Sequence, residues 1–179
     1  MDLGYLMDRS DEIWENSILP SLSEFIGIKA LSPLFEPDWA DLGELDATIK
    51  LFCGWLDEQG INGMSYETHR IGDLSPVLLV TIEGTGPGEV VFYSHLDKQP
   101  SKPELWSEGL HPLRAVRRDP WLYGRGSVDD GYGGYLCATS IRLLQEVGAP
   151  HPRCTMIIET CEESGSFDLR ALALIHPDG

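Results

Sequence analysis

The sequence predicts an α/β fold, because segments with helical apolar spacing alternate with short apolar runs typical of strands. Two N-terminal segments, about 10–25 and 45–56, have the helical pattern, and three runs, 77–82, 89–93 and 154–158, are predicted strands. Polar residues follow the strands directly, where an open α/β sheet places its functional site. At 179 residues and 42% hydrophobic content, the chain can form one domain with a real core.

The first predicted helix begins at Ser10, a plausible N-cap, and continues to about Phe25, with a bend expected at Pro20. The second carries one apolar stripe and ends before Gly60. The stripe consists of Leu45, Ile49, Phe52 and Leu56. Both helices are predicted to serve as packing elements.

Residues 65–71 form a weaker predicted strand, and the glycine-rich segment 84–88 resembles a hairpin connection between the two strands that flank it. After a loop-like region, residues 121–123 resume an extended conformation, and a helix follows through Val147. A last helix is predicted from a cap at Ser166 through Leu174.

The composition excludes several classes of protein. With 29 acidic and 13 basic residues, the formal charge of -16 opposes binding to nucleic acids or anionic membranes. The cysteines are far apart and form no Cys-x-x-Cys pair, which argues against a thiolate zinc site or a disulfide framework. No signal peptide or transmembrane run is present, so we predict a soluble cytoplasmic protein.

The stretch from Tyr123 to Gly134 places two adjacent carboxylates, Asp129 and Asp130, between a glycine-rich approach and a predicted helix. Adjacent anions repel each other, and a hard cation held by carboxylate oxygens would relieve this repulsion. An isolated Asp-Asp-Gly sequence is more often an ordinary surface turn. The motif therefore needs support from other residues.

That support comes from three predicted strand exits, which carry His95 with Asp97, Asp129 with Asp130, and Glu162 with Glu163. A neutral imidazole and carboxylates suit zinc, manganese or cobalt, and one carboxylate can bridge two ions. We assign the bridge to Asp129. Asp97 is predicted to accept a hydrogen bond from the imidazole nitrogen of His95 that does not bind metal. A free carboxylate beside the ions would take a proton from water.

Three stretches, 94–100, 122–130 and 161–166, resemble the successive active-site motifs of the M20 family of metallopeptidases. The resemblance is closest to the branch of carnosine dipeptidase and cytosolic non-specific dipeptidase. It implies a three-layer α/β/α zinc-peptidase-like catalytic domain with a mixed, mostly parallel sheet. It also implies a cis peptide bond between Asp129 and Asp130.

The resemblance implies a role for each site residue. His95 binds one metal and Asp97 orients it, Asp129 bridges the two ions, Glu162 is the general base, and Glu163 binds the other metal. The implied cofactors are two divalent ions, zinc first, with manganese or cobalt as alternatives. The implied reaction is metal-assisted hydrolysis of a peptide bond in a dipeptide or short peptide.

The chain departs from the family pattern in two ways. It ends at Gly179, before the family's remaining metal ligands and its lid domain, so we expect residues 1–179 to be the N-terminal part of a catalytic domain with weak or no activity. The lid dimerises in the family, which implies a homodimer for a full-length form. Relatives usually have Lys-Gly after the two aspartates, whereas this chain has Gly131 and Tyr132.

Several alternatives remain at this stage. A truncated, non-catalytic remnant with a partial metal site could act through protein contacts, and within the family an aminoacylase, carboxypeptidase or desuccinylase is possible. A nucleotide site in the glycine-rich stretch lacks the Gly-Lys-Ser/Thr sequence that binds phosphate. A two-carboxylate glycosidase needs its carboxylates on opposite sides of a sugar, which adjacent residues seldom reach. Neither of these last two explains His95.

Overall fold

The structure is a computed structural model that describes residues 2–173. Its helices are α1 Leu3–Ile13, α2 Leu19–Gly27, α3 Trp39–Leu42, α4 Glu44–Asp57, α5 Gly133–Glu146 and α6 Phe167–Ala173. Its strands are β1 Met64–His69, β2 Val77–Ile82, β3 Glu89–His95, β4 Val116–Arg118, β5 Trp121–Tyr123 and β6 Arg153–Glu159. A π-helical turn spans Trp14–Ile18, and 3₁₀ turns span Pro103–Leu105 and Glu162–Ser164.

The N-terminal helical segment begins earlier than the sequence predicted. Asp2, rather than Ser10, is the N-cap, since its side chain accepts a hydrogen bond from the backbone N–H of Tyr5 at 3.2 Å. The π-helical turn lies directly before the segment that contains Pro20, which occupies the first turn of α2. Proline lacks a backbone N–H and is tolerated in a first turn, so the helical segment continues past it.

The main sheet has the strand order β1-β2-β6-β3. β6 pairs antiparallel with β2 and parallel with β3, so the sheet is mixed, as predicted. β1 also pairs antiparallel with β2. Of the three strand pairings described in this sheet, only that of β3 with β6 is therefore parallel. The α/β fold is thus confirmed, although this part of the sheet is not mostly parallel.

The predicted hairpin between β2 and β3 is wrong, because β6 lies between these two strands. The connecting glycines instead pack against the segment that enters β6. A Cβ on Gly84 would lie 2.2 Å from the carbonyl oxygen of His151, and the backbone N–H of Gly86 donates to the same oxygen at 2.8 Å. The glycines therefore permit a close approach between two chain segments rather than a tight turn.

One face of the sheet forms the core with the helices. Alternate residues of β2 and β6 are buried in one cluster with residues of α2, α4 and α5. These strand residues are Leu78, Val80, Ile82, Cys154, Met156 and Ile158. The predicted stripe of α4 is buried as expected, and Phe52 meets Tyr135 of α5 edge to face at 5.0 Å between ring centroids.

The motif with the two aspartates does not follow a strand of the main sheet. The extended residues 121–123 are β5, which pairs with β4 in a separate two-stranded sheet. The last helix begins at Phe167, and the predicted end at Leu174 lies outside the described residues. Within the described part of the chain, no helix has the length and apolar character needed to cross a membrane.

Candidate metal centre

The parallel pairing of β3 with β6 brings two of the predicted strand exits together. His95 is opposite Glu159 in the register, and the backbone N–H of Leu96 donates to the carbonyl oxygen of Glu159 at 2.9 Å. The turn with Glu162 and Glu163 begins just beyond this point. The side chains of both exits therefore share one edge of the sheet.

Asp97 is fully buried between these two exits. Its Oδ1 accepts a hydrogen bond from the backbone N–H of Glu162 at 3.1 Å, and its Oδ2 accepts one from Glu163 at 3.0 Å. A buried carboxylate with two charge-assisted hydrogen bonds is held in a single orientation. Asp97 thus fixes the turn that carries both glutamates, a role that the sequence did not indicate.

The imidazole of His95 lies against the same residue. Nδ1 is 3.2 Å from the carbonyl oxygen of Asp97 and 3.5 Å from its Oδ1. The backbone carbonyl is thus the nearer acceptor, while the carboxylate is the one that the sequence predicted. With the proton on Nδ1, the neutral ring presents the lone pair of Nε2 to a metal.

The glycine-rich loop brings Asp129 to this edge from the other side. Gly126 has φ of 81°, and its carbonyl oxygen accepts a hydrogen bond from the backbone N–H of Gly131 at 2.9 Å. A Cβ on Gly131 would lie 2.3 Å from Cε1 of Phe25. The loop therefore packs so closely on α2 that residue 131 has no room for a side chain. The peptide bond between Asp129 and Asp130 is cis, as expected.

Three predicted ligands converge at this point. One ligand atom from each of His95, Asp129 and Glu163 lies within 4.8 Å of the others. Nε2 of His95 is 3.3 Å from Oδ1 of Asp129, and Oε2 of Glu162 lies 3.8 Å from the same nitrogen. Imidazole nitrogen with carboxylate oxygens is a donor set that suits zinc, manganese or cobalt.

Glu163 provides a further test of whether a cation fits. Its Oε2 accepts a hydrogen bond from Nε2 of Gln99 at 2.7 Å, whereas its Oε1 is buried without a hydrogen-bond partner among the described residues. A buried carboxylate oxygen without a partner is costly. A bound cation would satisfy this oxygen, so the residues present fit a metal ion.

The charges of the cluster also favour a cation. Burial lowers the pKa of His95, but the hydrogen bond and charge of Asp97 and the charges of Glu162 and Asp130 outweigh this effect and raise it to about 9. Burial raises the pKa of Glu163 and that of Asp130, and in each case other carboxylates add to the effect. Without a metal, the cluster therefore binds a proton on His95 to offset its negative charge.

Gly131 stands where relatives usually have a lysine, so the carboxylates lack the positive charge of that side chain. Lys98, which follows Asp97, does not supply it. Its buried Nζ donates to the carbonyl oxygens of Phe25 at 2.7 Å and Ile28 at 2.6 Å. It also lies 4.0 Å from the ring centroid of Phe25. Burial lowers the pKa of Lys98 to about 7. The lysine stabilises the C-terminal end of α2, on which the glycine-rich loop packs.

Sequence reasoning assigned no role to Gln99 or to Glu159. Gln99 orients Glu163 through a hydrogen bond. Its position within the first motif is the sequence signal that could have identified it as a site residue. Glu159 is fully buried, and its Oε1 accepts hydrogen bonds from the hydroxyls of Tyr93 at 2.5 Å and Ser166 at 2.8 Å. Ser166 thus binds Glu159 through the side chain that was predicted to cap α6. Glu159 is an acidic residue at the end of an apolar strand, and this position is the sequence signal that could have identified it.

Comparison with known proteins identifies a peptidase family and several solved structures to which the chain is similar. Residues 91–177 match the model of peptidase family M20/M25/M40. The chain is similar to human carnosine dipeptidase 1, with 24% identity and a TM-score of 0.75 over 98% of this chain and 38% of that chain. It is similar to the dipeptidase Dug1p of Saccharomyces cerevisiae, with 21% identity and a TM-score of 0.77 over 99% of this chain and 38% of that chain.

A third similar structure is the M20 family metallo-carboxypeptidase Sso-CP2 from Sulfolobus solfataricus. It shares 21% identity and a TM-score of 0.73 over 88% of this chain and 34% of that chain. The predicted resemblance is thus confirmed by the match to residues 91–177, and the solved structures show the same fold. The chain spans 38% of the length of the two dipeptidases.

Proposed function

We propose that this chain, in which residues 91–177 are a segment of M20 peptidase type, is part of the catalytic domain of a di-metal dipeptidase. The convergence of His95, Asp129 and Glu163, with a buried oxygen of Glu163 left without a partner, carries the proposal. The dipeptidases among the similar structures support the choice of dipeptides or short peptides as substrates.

In the proposed site, His95, Asp129 and Glu163 would hold two divalent ions, most simply zinc, with Asp129 as the ligand that the two ions would share. Such ions, when bound, lower the pKa of a water and polarise a carbonyl group. Gln99 and Asp97 hold the ligands in place through the hydrogen bonds described above. The cluster alone gives each ion fewer protein ligands than the usual three, so we propose that further ligands complete the site.

Glu162 is the proposed general base. Its side chain is 41% exposed and lies beside the ligand cluster, with Oε2 3.8 Å from Nε2 of His95. The backbone N–H of Glu162 is bound by Asp97, so the start of this side chain is fixed while its carboxylate remains accessible. Glu162 takes a proton from the attacking water and then gives it to the leaving amine.

The remaining parts of the proposal rest on the family resemblance. We propose that the chain is the N-terminal part of the catalytic domain, that a lid domain completes substrate binding, and that a full-length form is a homodimer through that lid. The four cysteines form no disulfide, which agrees with a cytoplasmic location. The formal charge of -16 agrees with a protein that binds neither nucleic acid nor membrane.

Metal binding tests this proposal directly. Elemental analysis and titration calorimetry with Zn²⁺ and Mn²⁺ would compare the wild type, Asp129→Ala, and Asp73→Ala as an exposed control. We expect stoichiometric binding that Asp129→Ala abolishes and Asp73→Ala retains, followed by dipeptide hydrolysis once the remaining ligands are supplied. A folded wild type that binds neither ion would favour a non-catalytic remnant, and a full-length form inactive toward dipeptides with zinc, manganese and cobalt would overturn the proposal.

A further inference from the structure

A cavity of about 450 Å³ lies between the N-terminal helical segment and the β4–β5 hairpin, and its lining contains none of the proposed metal ligands. The helical segment contributes Trp14, Glu15 and Leu19, and the hairpin contributes Arg117 and residues 119–122. Two of the protein's five tryptophans, Trp14 and Trp121, therefore line one cavity. Cavities of this size with aromatic walls and a few polar groups are the usual binding sites of small molecules.

One wall of this cavity is formed by the π-helical turn, which spans Trp14–Ile18 and includes Glu15. π-Helical turns are rare, and single turns of this kind are frequently found at functional sites. Two of the three helical residues that line the cavity thus lie where the helix departs from α-helical geometry.

The indole rings of Trp14 and Trp121 have no aromatic or cationic partner within residues 2–173. Neither indole N–H donates a hydrogen bond in this part of the chain. Trp39, by contrast, lies beneath the guanidinium of Arg70 at 5.7 Å from the ring centroid. Trp14 is half-buried, whereas 66% of Trp121 is exposed. Because the face of an indole attracts cations more strongly than the face of any other side chain, the cavity provides two rings for a cation.

Arg117 connects the two walls and determines the charge of the cavity. Its terminal nitrogens donate to both carboxylate oxygens of Glu15, at 2.5 and 2.9 Å, and its Nε donates to Asp119. The hydrogen bond from Arg117 lowers the pKa of Glu15, so this carboxylate is ionised at neutral pH. Two carboxylates thus share one guanidinium, which leaves one net negative charge at the polar end of the cavity.

We propose that this cavity binds a small organic cation, whose alkylated ammonium group lies against the indoles of Trp14 and Trp121 near the carboxylates of Glu15 and Asp119. The proposed ligand matches the cavity in charge, because the carboxylates outnumber the guanidinium there. The formal charge of -16 on the whole chain also raises the local concentration of cations. The inference goes beyond the proposed peptidase function and does not depend on it.

The rest of the lining favours an alkylated cation over a metal ion. Leu19, Pro120 and Leu122 are apolar walls that offer no ligand side chain to a metal but can contact methyl groups. The oxygens of Glu15 are already bound by Arg117, so they attract a cation without being free to coordinate one closely. An alkylammonium group carries its charge on an apolar surface and fits both properties.

The test compares choline with its neutral analogue dimethylbutanol, in which a carbon atom replaces the ammonium nitrogen and the shape is kept. Titration calorimetry would measure both Kd values, and NMR would follow the indole N–H signals of Trp14 and Trp121. We expect choline to bind about fivefold more tightly than the neutral analogue and to shift both signals. Sodium chloride at the same ionic strength is the control for general attraction to an acidic chain, and it should move neither signal.

Trp121→Leu should abolish the preference for choline, and Trp121→Phe should retain part of it, because the face of phenylalanine attracts cations more weakly. Both variants should fold, since Trp121 is largely exposed. Trp106→Leu changes a tryptophan outside the cavity and should bind choline as the wild type does.

Asp119→Asn should reduce the preference for choline and leave the affinity for dimethylbutanol unchanged, because it removes the surplus negative charge without changing the apolar walls. Asp73→Asn is the matched control at an exposed position outside the cavity. Equal affinities of the wild type for choline and dimethylbutanol would overturn the inference, as would tighter binding of the neutral analogue. A preference for choline that persists in folded Trp121→Leu would also contradict it.

Discussion

The proposed metal centre is built from two regions that are positioned by different means. The sheet edge holds His95, with 5% of its side chain exposed, and Asp97, which is fully buried, in a network of hydrogen bonds. The glycine-rich loop presents Asp129 with 65% of its side chain exposed, and close packing against α2 determines its path. Hydrogen bonds therefore hold the residues of the sheet edge in place. The loop keeps its path because glycines without side chains let it pack closely against α2.

This difference predicts that equivalent carboxylates in the two regions contribute very differently to stability. Asp97→Ala should lower the free energy of unfolding by about 3 kcal/mol, since it leaves the partly buried backbone amides of Glu162 and Glu163 without an acceptor. Asp129→Ala should change it by less than about 0.5 kcal/mol, because its side chain is exposed. Urea unfolding of the metal-free chain would measure both values, and similar losses would contradict the distinction.

The second prediction concerns the proton on His95, whose pKa is raised to about 9 without metal. Because metal must displace this proton, the affinity for Mn²⁺ should rise about tenfold per pH unit, or about 100-fold between pH 6 and pH 8. Calorimetry in buffers of different ionisation enthalpy would count the proton released.

The proton on His95 should also make the free energy of unfolding of the metal-free chain fall as the pH rises, whereas the metal affinity increases. Since the folded state has the higher pKa, the charged imidazole stabilises the fold below the unfolded value near 6.5 and loses this effect as the pH rises through about 9. The metal-free chain should thus lose this contribution over the pH range in which metal affinity increases. His95→Gln should remove both pH dependences, and a metal affinity independent of pH in the wild type would contradict the assignment.

The third prediction tests the loop. Gly131→Ala should lower the free energy of unfolding by about 2 kcal/mol and weaken metal binding, because a Cβ there would overlap Phe25 and the carbonyl oxygen of Gly126. Gly54→Ala is the control, since a Cβ at that position of α4 meets nothing within 4 Å. Alanine in that helix should stabilise the protein by about 0.5–1 kcal/mol. Thermal unfolding would distinguish the two signs.

The sheet edge was also the region that the sequence predicted better. Apolar runs identified β3 and β6, and their parallel pairing brought His95 near Glu163 as expected. The strand order was harder to predict from the sequence, because the glycines of segment 84–88 are a local signal for a tight turn and suggested that β2 and β3 are neighbours. Their actual contact, with the backbone of His151, depends on a segment more than 60 residues away.

The remaining site contacts were hidden for similar reasons. Asp97 was recognised as a partner of His95, but its hydrogen bonds to the two glutamate amides depend on how a distant turn folds. Asp129 reaches the site from the β4–β5 hairpin rather than from the main sheet, which no periodicity in the chain indicates. At the N-terminus, Asp2 and Ser10 are both acceptable caps, and the sequence alone did not distinguish between them.

The smallest expected effect lies behind the sheet edge, at Glu159. Burial raises its pKa, although hydrogen bonds from Tyr93 and Ser166 oppose the shift. The folded state therefore retains the proton to higher pH than the unfolded state, and the free energy of unfolding falls as the pH rises above the ordinary glutamate value. Glu159→Gln keeps an acceptor for both hydroxyls but cannot ionise, so its stability relative to the wild type should increase with pH. Chemical unfolding between pH 5 and pH 8 would measure this trend, with the exposed Glu104→Gln as a control that should show none. A constant difference between Glu159→Gln and the wild type would mean that folding does not raise the pKa of Glu159, and it would contradict this prediction.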